Sequence, residues 1–339
     1  FNGMMGIDQT ITNRLKVGAS MLITYKDNNK RQDPLNQANK IIPIGKVYND
    51  DGTLNMFPSY GSSTSVSPLA DEEENAYKNN TLTKRFFGSA YLNWEIVDDL
   101  MLRSTLGVDL NSARNGYFYD KNTINGGAKE SKSGAEMVSN NNYTWETTLN
   151  WNKTFGKHNF NILLGNSVIS NHAETFDMSG KNQTYSGNLF WNLSSATDQR
   201  EIGSDLVEDR MLSFFGRVHY KLYEKYLFNF SLRADGSSVL AKGHKWGYFP
   251  SAAFAWRMID ENFMKGARSF MSDFKLRFSW GISGNSAISP YQTLGGLGST
   301  TYAFGDTGAY GFYPRNISNK DLGWEKTQTF NFGIDFGFF

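Results

Sequence analysis

The chain has no cysteine among its 339 residues, which excludes disulfides, cysteine zinc sites and iron–sulfur ligation. Four scattered histidines leave little for a histidine metal centre, so neither a metal nor a cofactor is expected. Proline is scarce at 7, and 34 basic residues stand against 33 acidic ones, a balance that gives no support to nucleic-acid binding. No window approaches 18 consecutive apolar residues, which excludes a transmembrane helix. If this chain crosses a membrane, it does so as strands.

What is abundant points the same way. Aromatics make up 15% of the chain, with 26 Phe, 17 Tyr and 8 Trp, although only 39% of residues are apolar and the mean hydropathy is −0.49. A polar average with many large rings fits strands that show one face to lipid and the other to water. The 33 glycines beside so little proline suit long strands with tight bends. One texture runs from end to end, so residues 1–339 read as one domain. Phe1 follows no leader and Phe339 closes an alternating segment, so both ends read as cuts within a larger protein.

Two-residue alternation organises the sequence. From Tyr226 to Asp235, Tyr226, Phe228, Phe230, Leu232 and Ala234 fall on one side, and Asn229, Ser231, Arg233 and Asp235 on the other, with Leu227 the exception. From Phe274 to Ser283, Phe274, Leu276, Phe278, Trp280 and Ile282 oppose Lys275, Arg277, Ser279, Gly281 and Ser283. A helix would scatter these sets around its axis, whereas a strand sorts them. The pattern recurs near 1–12, 15–26, 84–96, 100–118, 142–154, 159–176, 209–222, 247–258 and 325–338, giving about eleven strands.

The connections sort as well. Short turns lie at Val97-Asp98-Asp99, Gly156-Lys157-His158 and Tyr223-Glu224-Lys225, and long polar loops at 27–83, 121–141, 179–208 and 284–324. That is the topology of an all-β, antiparallel transmembrane β-barrel segment with short periplasmic turns and long extracellular loops. One short turn is replaced by 259–272, where Asp260 is expected to cap a single helical turn. No 20–50-residue repeat is present, which argues against a propeller or solenoid.

Arg233-Ala234-Asp235-Gly236-Ser237-Ser238, followed by Trp246-Gly247-Tyr248-Phe249-Pro250-Ser251, resembles the SusC/RagA-type TonB-dependent outer-membrane transporters. Leu276-Arg277-Phe278-Ser279-Trp280-Gly281 with Ser283-Gly284-Asn285, and Asn319 to Thr327 leading into Asn331-Phe332-Gly333-Ile334-Asp335-Phe336, resemble further stretches of that family in the same order. Residues from about 84 onward carry the likeness, and the first 83 share only its style. The resemblance implies a barrel of about 22 strands with a plugged lumen. It also implies active nutrient import at the Gram-negative outer membrane, energised through the TonB complex. A SusD-like surface lipoprotein that captures glycans or peptides is the implied partner, beside the protein's own plug domain and the lipid bilayer. The sequence shows no plug, no TonB-binding segment and no complete strand set. A passive porin or adhesin barrel would share the alternation without plug or TonB.

The charges Arg103, Arg217, Arg233, Asp235, Arg257 and Arg277 fall on the polar side of their strands. A charge facing lipid near the midplane costs about 2–4 kcal/mol, so these six are expected to face the lumen, lining a path or contacting the plug. Trp94, Trp145, Trp151, Trp256, Trp280 and Trp324 are expected in the lipid girdle. Tyr185, Phe190 and Trp191 lie in a long outer loop, where a flat ring is expected to stack on a sugar or to pack against neighbouring loops or the lipoprotein lid. The run Asp71-Glu72-Glu73-Glu74 lacks calcium-loop spacing and reads as solvated. His158 and His219 have no ligand partners at useful spacing. Gly-rich 293–298 precedes no helical pattern, and no G-x-S-x-G motif is present, so an enzyme is not expected.

Overall fold

The computed structural model describes residues 1–59, 61 and 65–338; residues 60 and 62–64 of the expected 27–83 loop lie outside it. Eleven strands form one antiparallel sheet: β1 (Asn2–Thr12), β2 (Leu15–Asn29), β3 (Tyr77–Val97), β4 (Leu100–Tyr119), β5 (Lys132–Phe155), β6 (His158–Gln183), β7 (Ala196–Leu222), β8 (Tyr226–Ser237), β9 (Trp246–Arg257), β10 (Met271–Asn285) and β13 (Glu325–Phe338). Sequence neighbours pair throughout, and β13 takes the place beside β10. No helix among the described residues is long and apolar enough to cross a membrane.

Each expected strand is present, and several are longer. A tilted strand crosses a bilayer in about 9–11 residues. β1 has 11 residues, whereas β5, β6 and β7 have 24, 26 and 27 and must project well past the lipid. Between β10 and β13 lies a hairpin outside the main sheet, β11 (Leu297–Phe304) and β12 (Thr307–Pro314), where only loop was expected. Its turn is Gly305-Asp306, with Gly305 at φ 65°, where a side chain would be strained.

Register carries one chemistry across the sheet. Phe278 stands opposite Phe332 on one side and Phe254 on the other, Phe254 opposite Phe228, and Phe228 opposite Tyr220. Ser279 opposes Asn331 and Ala253, and Ala253 opposes Asn229, which opposes His219. The apolar face is therefore continuous over neighbouring strands, and its large side chains, among them Phe230, Phe278 and Phe332, stand exposed. The β9–β10 ladder ends at Ser251–Gly281, next to Pro250, which has no N–H to give.

Burial is inverted relative to a water-soluble domain. Val66, Ala70, Ala76, Phe118, Phe190, Ala196, Val239, Leu240 and Ala241 are buried in the outer loops or the strand ends beneath them, and beyond these Phe249 on β9 and Ile259 in the segment after it are buried as well. Among the described residues the wall between the loops and the turns has almost no buried apolar side chain of its own. Lipid must supply on one face what a core supplies elsewhere.

At the end of the short turns, residues 258–270 form three 3-10 turns: Met258–Asp260, Asn262–Met264 and Ala267–Ser269. Asp260 does not cap as expected. Glu261 holds the N-cap position of the second turn without a side-chain cap bond, while Asp260 Oδ2 lies 3.3 Å from Arg257 Nε. The Arg257 cation draws the carboxylate away from the helical N–H groups.

Candidate functional site: the polar wall and the outer loops

All six charges singled out in the sequence lie in the polar register. Arg103 opposes Thr148 and Asn93, Arg217 opposes Ser231, Arg257 opposes Lys275, and Arg277 opposes Gly333. Arg233 and Asp235 sit two residues apart on β8, where strand alternation puts both side chains on one face. Arg233 Nε donates to Asp235 Oδ2 at 2.8 Å, its Nη2 donates to Ser213 Oγ at 2.9 Å, and its guanidinium covers the Phe215 ring. The structure does not gather the six into one pocket. They are spread round the wall, with Arg217 diagonal to Arg233 on neighbouring strands.

Other members of this wall alternate just as legibly. Arg85 grips Asp109 with both arms, Nε to Oδ1 at 2.7 Å and Nη2 to Oδ2 at 2.6 Å. Asp335 takes two cations from β10, Lys275 Nζ at 3.0 Å and Arg277 Nη2 at 2.6 Å, fastening β13 to its neighbour. The wall charges are thus largely matched among themselves. Asp109 between Val108 and Leu110, and Asp335 between Ile334 and Phe336, are the alternation signals in the sequence that mark these wall carboxylates.

The tryptophans divide. Trp94, Trp145, Trp151, Trp256 and Trp280 lie in the apolar register, opposite Leu102, Leu106, Ile162, Leu276 and Phe330 respectively. Trp324 does not join them. It packs edge-on against Phe249, a polar-register residue of β9, and its Nε1 donates to the Lys245 carbonyl at 2.9 Å. Lying ahead of β13, it plugs the space over Gly247 instead of meeting lipid.

Phe190 and Trp191 are placed on the outside of the wall. Phe190 is 4% exposed and lies over Gly116, where an added Cβ would stand 2.3 Å from its ring. Arg114 covers both Phe190 and Trp191, at 5.4 and 4.7 Å from the ring centroids. Arg114 and Gly116 oppose Met137 and Ala135 in the apolar-face register, so Phe190 packs on the outer side of the strand extensions, away from the polar wall. Tyr185 and Trp191 both remain exposed.

Asp71, read as part of a solvated run, is 8% exposed and accepts the Ile124 N–H at 2.9 Å, tying one outer loop to the next. Burial pushes its carboxyl above the usual carboxylate range. Glu72 meets Arg31 at 3.0 Å. His158 Nδ1 lies 2.8 Å from the Tyr220 hydroxyl, and His219 stands between Asn161 and Asn229 in the polar register. Among the described residues no group of three or more His, Cys, Asp or Glu could hold a metal ion.

A sheet with one apolar and one charged face, short turns at one end and long loops at the other, defines the wall of an outer-membrane β-barrel. Residues 24–339 match the model of the TonB dependent receptor-like β-barrel, and the chain belongs to that family of Gram-negative outer-membrane barrels. It is 29% identical over 350 residues to TonB-dependent receptor P3 of Formosa agariphila, a match covering 100% of this chain and 34% of that protein. To TonB-dependent receptor SusC of Bacteroides thetaiotaomicron it is 34% identical over 202 residues, 58% of this chain and 19% of SusC. The fold superposes on the structure of the RagAB peptide transporter with a TM-score of 0.79 at 20% identity, covering 100% of this chain and 38% of that one. The chain thus spans about a third of the length of the first of these relatives.

Proposed function

We propose that this chain is about half the wall of a 22-strand SusC-like barrel that imports a peptide or an oligosaccharide across the outer membrane. The observation that carries the proposal is the family match over 24–339 laid on a sheet with one lipid-type and one charged face. Arg103, Arg217, Arg233, Asp235, Arg257 and Arg277 face the lumen in this reading. There Arg233, Asp235, Arg257 and Arg277 are already ion-paired within the wall, which leaves Arg103 and Arg217 to contact a plug domain, and the plug, the TonB complex and a SusD-like lipoprotein supply the gating. Peptide is the cargo named for RagAB, and a glycan is the other class that the resemblance implies. Phe190 packs the loop down, while Tyr185 and Trp191, both largely exposed, are the loop rings left to meet cargo.

Uptake of labelled peptides and oligosaccharides by cells carrying the full-length protein tests this reading, measured with and without a functional TonB complex. Uptake lost without TonB supports active import. Undiminished uptake would make the barrel a passive porin and overturn the proposal.

A further inference from the structure

The turns at one end of the sheet are two or three residues long, with one exception, the 13 residues 258–270 between β9 and β10. This segment bends under the apolar face. Glu261 Oε1 accepts from the Tyr226 hydroxyl at 2.6 Å and from Trp256 Nε1 at 3.1 Å, and its Oε2 lies 3.2 Å from Lys225 Nζ. Tyr226 and Trp256 are register partners on the apolar face, with stacked rings 6.2 Å apart. Phe263 then meets the Trp256 ring edge-on at 6.2 Å, so the lipid-facing surface continues without a break into the segment.

What the segment displays is equally selective. Ile259 is buried and Arg268 Nε closes on its carbonyl at 2.8 Å, making a compact foot. Phe263 and Phe270 are 65% and 54% exposed. Both acids are neutralised, Asp260 by Arg257 and Glu261 by Lys225, while Lys265 and Arg268 have no acidic partner among the described residues. Exposed rings beside uncompensated cations suit a boundary between acyl chains and phosphates.

We propose that residues 258–270 are a membrane foot. Phe263 inserts beside Trp256 into the periplasmic leaflet, and Lys265 and Arg268 rest on phospholipid phosphates. Such a foot fixes the height of β9 and β10 in the bilayer. The proposal rests on the barrel reading, because the short turns lie on the periplasmic side only if the apolar face meets lipid.

The test uses the full-length protein, to which this chain brings no cysteine, in phosphatidylethanolamine–phosphatidylglycerol vesicles. A nitroxide is placed through Phe263→Cys, Lys265→Cys and, as the control for the barrel itself, Phe278→Cys. Collision rates are read with oxygen, which partitions into lipid, and with a water-soluble nickel chelate. The foot requires the Phe263 label to collide several-fold more with oxygen than with nickel, at a depth of about 5–10 Å, with the Lys265 label shallower. A Phe263 label as open to nickel as one at exposed Ile317 overturns the foot, because the segment then hangs in water. One shielded from both reagents also overturns it, assigning the surface to a protein contact. If Phe278 itself is open to nickel, the barrel reading fails first, and the two failures are distinguishable.

Discussion

Arg233 and Asp235, two residues apart on one strand face, share a 2.8 Å hydrogen bond while Arg233 also reaches across the ladder to Ser213 at 2.9 Å. The aspartate side chain is only 10% exposed and the arginine 43%. Arg233→Ala leaves a nearly buried carboxylate without its cation. The expected loss is about 1–3 kcal/mol, below the penalty for a fully buried pair because the arginine is part-solvated. Arg233→Lys should recover only part of it, since one ammonium cannot reproduce the planar fork. Urea unfolding of the full-length protein in detergent measures both. Equal stability of wild type and Arg233→Ala would show the pair to be ornamental.

Neighbouring residues on β10 should respond in opposite ways to the same substitution. Phe278 faces Phe332 and Phe254, whereas Ser279 faces Asn331 and Ala253. Phe278→Arg should cost about 2–4 kcal/mol of folding into vesicles, and Ser279→Arg should be tolerated. Similar penalties at the two positions would contradict the assignment of faces.

Gly116 makes room for Phe190, whose ring would lie 2.3 Å from an added Cβ. Gly116→Val should therefore expel the ring and open loop 184–195 to protease while the spanning strands stay folded. Limited proteolysis followed by mass spectrometry reads the outcome, and unchanged protection of the loop counts against this packing.

Glu261 gives the foot an acid dependence. The Tyr226 hydroxyl, then Trp256 Nε1 and Lys225, hold its carboxyl below the usual carboxylate range. A depressed folded pKa contributes stability above the unfolded value of 4.5 that is lost as pH falls through the folded value. A spin label at Lys265→Cys should gain mobility as the pH is lowered through that range, and Glu261→Gln should remove the pH dependence. Identical profiles for the two proteins would rule out Glu261 as the titrating group.

The membrane-crossing part of the fold was legible in the sequence because lipid and water impose a strict period of two. Tyr226–Asp235 and Phe274–Ser283 lie wholly inside β8 and β10. Past the bilayer that constraint lapses. In β5 to β7, Ser139, Asn141, His172, Glu174 and Glu208 occupy the apolar-face register, so the extensions to Lys132, Gln183 and Ala196 carried no alternation to read. The β11–β12 hairpin was hidden by aromatics on both faces, although the Gly305-Asp306 turn marked it. Among the candidate residues, the face of each wall charge followed from parity alone. Their ion partners on other strands did not, nor did the sides taken by Trp324 and Phe190, since loop packing leaves no periodic trace.

Single-cysteine scanning of β8 in the full-length protein, embedded in vesicles, tests the barrel wall most directly. Labels at Phe228, Phe230 and Leu232 should be quenched by a lipid-dissolved agent and shielded from a water-soluble one, and labels at Asn229, Ser231 and Arg233 should lack lipid quenching altogether. Equal access of the water-soluble agent to both sets would contradict a membrane-spanning strand.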